Sequence, residues 1–383
     1  MPNLFVASGI FHPEAGGPAT YLHEILPHLQ ARGWQVRLLT YADHVDMGGI
    51  YPYPVTRIPR VVLPARMRMY AAAARPLLDW ADVTYIHTLG LPLIGGKSRR
   101  VVKIVGDLAW ERAVRKNWVP PTTDIDDFQS TKYALHVQID KARRAREAQT
   151  MNAVIVPSAY LGRMVAGWGV ATEKIQVVYN AMPPVPNLHA SQAVPLQSDI
   201  RRTLKLPDAP TLVAVGRILP WKGVDHLIHA LSRLPDVRLI VAGDGELLST
   251  LKILTATLKV ADRVTFLGKI EREQVDLYMR AADYTALYSG YEGLSHTLLE
   301  SLRAGTPCIA SDKGGNPEVI RHGENGLLVP YIDVDALTET IRAAFMPGVR
   351  ARLAANASVG MERFDFTGMV EATDGVLRSF LSG

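Results

Sequence analysis

The 383-residue sequence contains one cysteine, Cys308, so no internal disulfide can form, and a cytosolic setting is expected. Cys308 lies in the apolar stretch Thr306–Ser311 with no adjoining basic residue to lower its pKa, which is the setting of a buried, inert thiol. Long apolar runs are missing too. Asn152–Val156 and Leu239–Ala242 are strand-length, far short of the ~20 residues a membrane span requires. No basic-then-apolar leader precedes the first strand-like run, Asn3–Ser8, so no secretory signal is expected. No repeat of roughly 20–50 residues is visible, which argues against a solenoid. After the first strand a dinucleotide-binding chain would carry G-x-G-x-x-G. That place reads Ser8-Gly9-Ile10-Phe11-His12-Pro13, which speaks against a dehydrogenase.

With 48% apolar and 21% charged residues the chain is neither disordered nor fibrous, and its length fits two domains of roughly 180 residues. Residues 1–180 carry 21 Lys/Arg against 14 Asp/Glu and residues 181–383 carry 21 against 23, so the net charge of +5 resides in the first half. A positive first half suits nucleic acid, an anionic membrane or an acidic substrate, or is an ordinary soluble surface rich in arginine.

Strand-like and amphipathic segments alternate. Leu4–Ser8 leads through Ala15-Gly16-Gly17 to a helix opening at Pro18, with Leu22, Ile25, Leu26 and Leu29 at helical spacing and Gly33 as its stop. Further strands are expected at Val36–Thr40, Val83–His87, Val101–Val105 and Ala153–Val156. Residues 183–199, with Pro183, Pro184, Pro186 and Pro195, read as a linker. Alternation resumes with Leu212–Val215, Val237–Ala242, Val264–Leu267, Tyr284–Tyr288 and Pro307–Ala310. The fold class is therefore α/β, with two Rossmann-like, doubly wound parallel-sheet domains and ligands beyond the carboxyl ends of the strands.

The chemistry-bearing residues fall at such ends. Gly216-Arg217 closes one strand and Lys222-Gly223 follows. A bidentate fork and a mobile point charge together suit a diphosphate. Tyr291-Glu292-Gly293-Leu294-Ser295-His296-Thr297-Leu298-Leu299-Glu300 follows another strand. Ser295 is the expected N-cap, and the N–H groups of 295–298 form a phosphate-sized cradle. Glu300 shares the helix face of His296 and Thr297, although an i,i+3 pair with Arg303 on a solvated face is the plainer reading. Gly243-Asp244-Gly245 and Gly314-Gly315-Asn316-Pro317-Glu318 are turns that let backbone approach a ligand.

Taken together, Gly216-Arg217…Lys222-Gly223, Glu292-Gly293-Leu294-Ser295 with Glu300, and Gly314–Glu318 resemble the retaining glycosyltransferases of family four, which have the GT-B fold. The resemblance extends to the Gly16-Gly17 loop and the Pro157-Ser158…Asn180-Ala181 run. It implies an acceptor-binding domain over residues 1–182 and a nucleotide-sugar-binding domain over 200–360, facing each other across a cleft. A C-terminal helix within 361–383 would cross back to the first domain. Arg217 and Lys222 would hold the donor diphosphate, Glu292 the transferred sugar and Glu300 the ribose. The backbone of Leu294, Ser295, His296, Thr297 and Leu298 would cradle phosphate and sugar, the base would lie near Gly243 and Gly268-Lys269-Ile270, and Gly16 and Gly17 would add donors from the first domain. The implied reaction moves a sugar from a UDP- or GDP-sugar to a hydroxyl acceptor, saccharide or lipid-linked, with retention of configuration. It uses no metal, no cofactor and no nucleic-acid partner.

One departure from the family concerns the histidine that many members carry at the end of the strand Val101–Val105. Here Val105 holds that place, followed by Gly106-Asp107. Asp107 is either a carboxylate acting on the reacting sugar or the N-cap of the next helix, and His87 is a second substitute. Asp124-Ile125-Asp126-Asp127 nominally offers an Asp-x-Asp metal site but adjoins no strand, and reads as a loop or helix start. Arg57, Arg60, Arg66, Arg68 and Arg75, without an acid among them, fit either an anionic bilayer or an ordinary cleft-lining loop and helix.

Overall fold

The computed structural model describes residues 1–14, 16–45, 49–183 and 195–381; Ala15 and the linker residues 184–194 lie outside them. The chain forms two compact units. One comprises Met1–Val119, Asp126–Pro183 and Phe366–Gly383, and the other Pro120–Ile125 and Pro184–Asp365.

The first unit is built on β1 (Asn3–Ala7), β2 (Gln35–Ala42), β3 (Val55–Pro59), β4 (Val83–Ile86), β5 (Arg99–Lys103), β6 (Ala153–Val156) and β7 (Ile175–Val177). They form one parallel sheet in the order β3-β2-β1-β4-β5-β6-β7. A parallel sheet is covered on both faces, which is why Leu4, Phe5, Val6 and Ala7 are all fully buried. The helix Gly17–Ala31 places Leu22, Ile25, Leu26 and Leu29 against one face, each burial contributing about 1.5–3 kcal/mol. Gly33, at φ 93°, ends the connection in the left-handed region that lacks a penalty only for glycine.

The C-terminal helix Phe366–Arg378 packs on the same face. Asp374 accepts a hydrogen bond from the Trp34 indole at 2.6 Å, and Arg378 donates to the Arg32 carbonyl at 2.6 Å.

The second unit contains β8 (Thr211–Val215), β9 (Arg238–Ala242), β10 (Val264–Gly268), β11 (Tyr284–Leu287), β12 (Cys308–Ser311) and β13 (Gly326–Val329), all parallel in the order β10-β9-β8-β11-β12-β13. Leu212, Leu239, Val241, Tyr284 and Ile309 pack against Leu227, Ile228 and Leu231 of the helix Val224–Leu231. Cys308 is buried and its thiol is pushed up to about 12 by that burial, which makes it inert.

Three strands escape the sequence pattern. β3 carries Arg57 and ends on Pro59 at a sheet edge, β7 is three residues long, and β13 begins on Gly326. Edge and very short strands lack the continuous apolar run that marks a central parallel strand.

Strand order reverses direction between β1 and β4 in the first sheet and between β8 and β11 in the second. Loops leaving the carboxyl ends of neighbouring strands diverge at such a point and leave a crevice. In the second unit this rule selects the loops after Val215 and Leu287.

Candidate active site

Those two loops carry Gly216-Arg217…Lys222 and Glu292, and the structure brings them together. Lys222, at the end of the short 3-10 turn Pro220–Lys222, donates from Nζ to Glu292 Oε1 at 2.5 Å. The two side chains keep 19% and 13% of their surface in water, so the pair is shielded yet open to a ligand. The Gly290 N–H donates to the Trp221 carbonyl at 2.8 Å and fixes one loop to the other. Arg217, on the same loop as Lys222, is exposed, and among the described residues its guanidinium makes no ion pair.

Two glycine turns close on the same place. Gly216 and Gly243 have φ of 138° and 153°, and a Cβ on Gly243 would lie 1.9 Å from the Gly216 carbonyl oxygen. Only glycine allows loops from β8 and β9 to approach so closely. The Gly243 N–H donates to the Gly268 carbonyl at 2.8 Å, which sets exposed Lys269 and half-buried Ile270 next to that turn.

The helix His296–Arg303 is capped by Ser295, whose Oγ accepts from the Leu298 N–H at 3.3 Å. This confirms the N-cap and corrects the cradle. The Leu298 N–H is occupied by the cap, so it is not a ligand donor, while Thr297 of the first turn takes no part in capping. Leu294 is buried beneath the loop.

Glu300 is only partly exposed. Its Oε1 lies 3.5 Å from Arg272, a residue that local spacing does not single out. Burial raises the Glu300 pKa, and Arg272 and then Arg303 oppose that rise. Arg272 opens the helix Arg272–Ala281 just after β10, so the rule of strand carboxyl ends marks it as well.

In the first unit the outcome differs. Asp107 is the N-cap of the helix Leu108–Arg115: Oδ1 accepts from the Ala109 and Trp110 N–H groups at 3.0 and 3.3 Å. Its Oδ2 accepts from Gln129 at 3.0 Å and forms a short ion pair with Arg144. With the residue fully buried and both oxygens engaged, the expectation of a sugar-contacting carboxylate is replaced by a structural one.

His87 and Lys103 are buried side by side past β4 and on β5. Among the described residues neither His87 Nε2 nor Lys103 Nζ has a hydrogen-bond partner. Burial pushes Lys103 down to about 7, and burial together with Lys103 holds His87 well below its ordinary range. Lys103 rests over the Tyr21 ring at 3.9 Å.

The glycine loop before Gly17 is held by the basic segment. Arg57 donates to the His12 carbonyl at 2.9 Å, and Arg60 to the Gly9 carbonyl at 3.1 Å and to Glu14 at 2.7 Å. Arg66 lies over the Tyr41 ring, which leaves Arg68 and Arg75 as the exposed pair of the five. Gly16 is half-buried and, as a residue without a side chain, leaves the helix Gly17–Ala31 without a side-chain cap.

Among the described residues no group of His, Cys, Asp or Glu side chains converges to hold a metal ion. The nominal Asp-x-Asp disperses: Asp124 pairs with Lys313 at 2.7 Å, and Asp126 accepts from the Tyr160 hydroxyl at 2.7 Å.

Comparison with known proteins bears on this geometry. Residues 197–358 match the model of Glycosyl transferases group 1, and residues 15–184 that of Glycosyltransferase Family 4. A GDP-mannose-dependent alpha-(1-6)-phosphatidylinositol monomannoside mannosyltransferase of Mycobacterium tuberculosis is 32% identical over 43% of this chain and 46% of its own length. The match thus spans about half of that relative. A D-inositol 3-phosphate glycosyltransferase of Acidothermus cellulolyticus is 28% identical over 96% of this chain and 87% of its own. Among solved structures, HepE of Anabaena in complex with UDP and glucose superposes with a TM-score of 0.78 at 21% identity, covering 99% and 100% of the two chains. That likeness concerns the fold, and the two Rossmann-like sheets are those of GT-B proteins.

Proposed function

The chain belongs to the group 1 glycosyltransferases of family four, and on that premise we propose that it transfers a hexosyl group from a UDP- or GDP-sugar to a hydroxyl acceptor. The reading rests on one observation above all: the Lys222–Glu292 pair at the carboxyl ends of the two strands flanking the second sheet's switch point, with exposed Arg217 on the same loop as Lys222. A donor diphosphate entering there takes Lys222 from Glu292 and adds the Arg217 fork, which releases Glu292 for the sugar hydroxyls. Glu300 accepts from the ribose, and the Gly243 and Gly268-Lys269-Ile270 turns border the base.

In the reaction the bond between the anomeric carbon and the diphosphate oxygen breaks while the acceptor oxygen bonds on the same face. The acceptor proton passes to the departing phosphate oxygen, so configuration is retained and neither metal nor cofactor is needed. Arg217, Lys222 and the Thr297 N–H stabilise the negative charge that develops, a preorganised arrangement worth several kcal/mol.

The first unit, with Gly16 and Gly17 at its loop, would bind the acceptor. The name of the Mycobacterium tuberculosis relative favours a lipid-linked acceptor, and a role in glycolipid or polysaccharide synthesis in the cytoplasm belongs to the same reading. Arg68 and Arg75, together with exposed Val62, Leu63 and Met69, are the residues available for peripheral contact with an anionic membrane. Sedimentation with anionic liposomes at two salt concentrations tests that contact.

The donor is tested by thermal shift with UDP-glucose, UDP-galactose, GDP-mannose and ADP-glucose, since a ligand bound only by the native state raises Tm. No shift with any of these sugars refutes the donor site, and a shift without transfer to any acceptor supports the second reading, an inactive nucleotide-sugar-binding protein.

A further inference from the structure

Asp124 belongs to the short excursion Pro120–Ile125 that joins the second unit although its neighbours in sequence lie in the first. Its Oδ2 lies 2.7 Å from Lys313 Nζ, with side-chain exposures of 19% and 32%. Lys313 directly precedes Gly314 and Gly315, and those two glycines form one wall of the turn that carries Glu292. A Cβ on Gly314 would lie 2.3 Å from the Glu292 carbonyl oxygen, and one on Gly315 would lie 2.4 Å from that of Gly293. The Gly315 N–H donates to the Glu292 carbonyl at 2.8 Å.

The opposite end of the same turn rests on Tyr331, whose ring leaves no room for a Cβ on Gly290. Tyr331 is tied back to the Lys313 loop through its N–H, which donates to Asp312 Oδ1 at 3.2 Å. Through Lys313, Asp124 therefore meets the loop that forms one support of residues 290–293 and is hydrogen-bonded to the other.

We propose that Asp124 is a positioning residue for the donor sugar: by holding Lys313 it presses the Gly314-Gly315 wall onto the Glu292 turn and fixes the carboxylate that contacts the sugar. The inference rests on the reading of Glu292 given above, and it gives the nominal Asp-x-Asp segment a role in place of metal binding. Asp124 acts on the turn and not on the base or ribose groups, so its loss should slow transfer while leaving nucleotide affinity in place.

The experiment compares the wild type with Asp124→Asn, Asp124→Lys, Lys313→Asp and the double exchange Asp124→Lys with Lys313→Asp, each checked for an unchanged cooperative melt. Hydrogen exchange of the donor-free protein is read over residues 288–295 and 312–318. Each single change is expected to speed exchange in both segments and to slow transfer from UDP-glucose or GDP-mannose about tenfold, since small misplacements of a reacting group are costly. Binding of UDP and GDP should hold within about twofold, and the double exchange should restore protection and rate together. Unchanged exchange in Asp124→Lys, or a double variant no better protected than the singles, overturns the proposal. Glu292→Gln serves as a control: full activity in that variant refutes the reading of Glu292, whereas the exchange result stands or falls on its own.

Discussion

At the carboxyl ends of β8 and β11, Lys222 and Glu292 pair at 2.5 Å with 19% and 13% of their side chains still in water, and Arg217 stands exposed on the loop that carries Lys222. At the carboxyl ends of β4 and β5 of the first sheet, where only β4 borders the switch point, His87 and Lys103 are buried without hydrogen-bond partners among the described residues, and Asp107 is locked to Arg144. Strand carboxyl ends in two similar sheets are thus used in two ways. A partly hydrated charge pair can exchange one partner for a phosphate at little cost, whereas a fully buried group either titrates towards neutrality or is held by an opposite charge that it cannot leave. Position at a strand end marks a residue as a site candidate, and its hydration decides whether it is one.

Six substitutions, in four experiments, test that contrast. The largest effect is expected in the first unit from Asp107→Asn, which keeps the cap but leaves Arg144 buried without its counter-charge. It should cost about 3–5 kcal/mol, read as a lower urea midpoint. A variant as stable as the wild type with at least tenfold lower activity would restore Asp107 to the chemistry.

Next, Arg217→Ala and Lys222→Ala should leave Tm nearly unchanged and cut transfer by about 10²–10³-fold, the usual loss for one preorganised charge-stabilising group. Activity within about threefold of wild type in both variants removes the diphosphate site.

Lys103→Met should stabilise the protein by about 1–3 kcal/mol in neutral or acid solution, because it deletes a buried amine that has no hydrogen-bond partner among the described residues. The sign follows from the folded value of about 7 against 10.5 for the free group. Between those values the unfolded chain holds the extra proton, so wild-type stability rises with pH, and the variant's advantage is full below about 7 and fades towards 10.5. His87, lowered for the same reasons, adds a dependence of the same sign at lower pH. A pH-independent difference in Tm between the two proteins contradicts the burial of a titrating amine.

The smallest effect concerns Glu300. Its substitution by Ala should raise the donor KM about tenfold with little change in kcat, while Glu292→Ala should chiefly lower kcat. Because burial raises the Glu300 pKa, wild-type donor KM should climb as pH falls through that raised value, and the climb should vanish in Glu300→Ala. Identical kinetic signatures for the two glutamates would merge their roles.

The helix stripe Leu22, Ile25, Leu26, Leu29, the Ser295 cap and the strand ends bearing Arg217 and Glu292 were legible in the sequence, since each depends on local periodicity, capping chemistry or the βα alternation. Arg272 against Glu300 was not, because the two lie on different helices and only the order β10-β9-β8-β11 brings their segments together. Asp107 stood open between two roles for the same reason: Arg144, 37 residues further on, supplies its counter-charge. The five arginines looked alike as a string, and only the packing of β3 showed that Arg57 and Arg60 hold the first glycine loop.

Apolar spacing, turn residues and strand-end motifs are properties of neighbours along the chain, so the sequence by itself determined the two parallel-sheet units and the strand ends at which Arg217, Lys222 and Glu292 stand. The partners of each charge, and the water left around it, depend on residues far apart in sequence. Only the tertiary structure therefore decided that Lys222 and Glu292 form a pair open to a ligand, that Leu298 serves the cap, and that Asp107 belongs to the core.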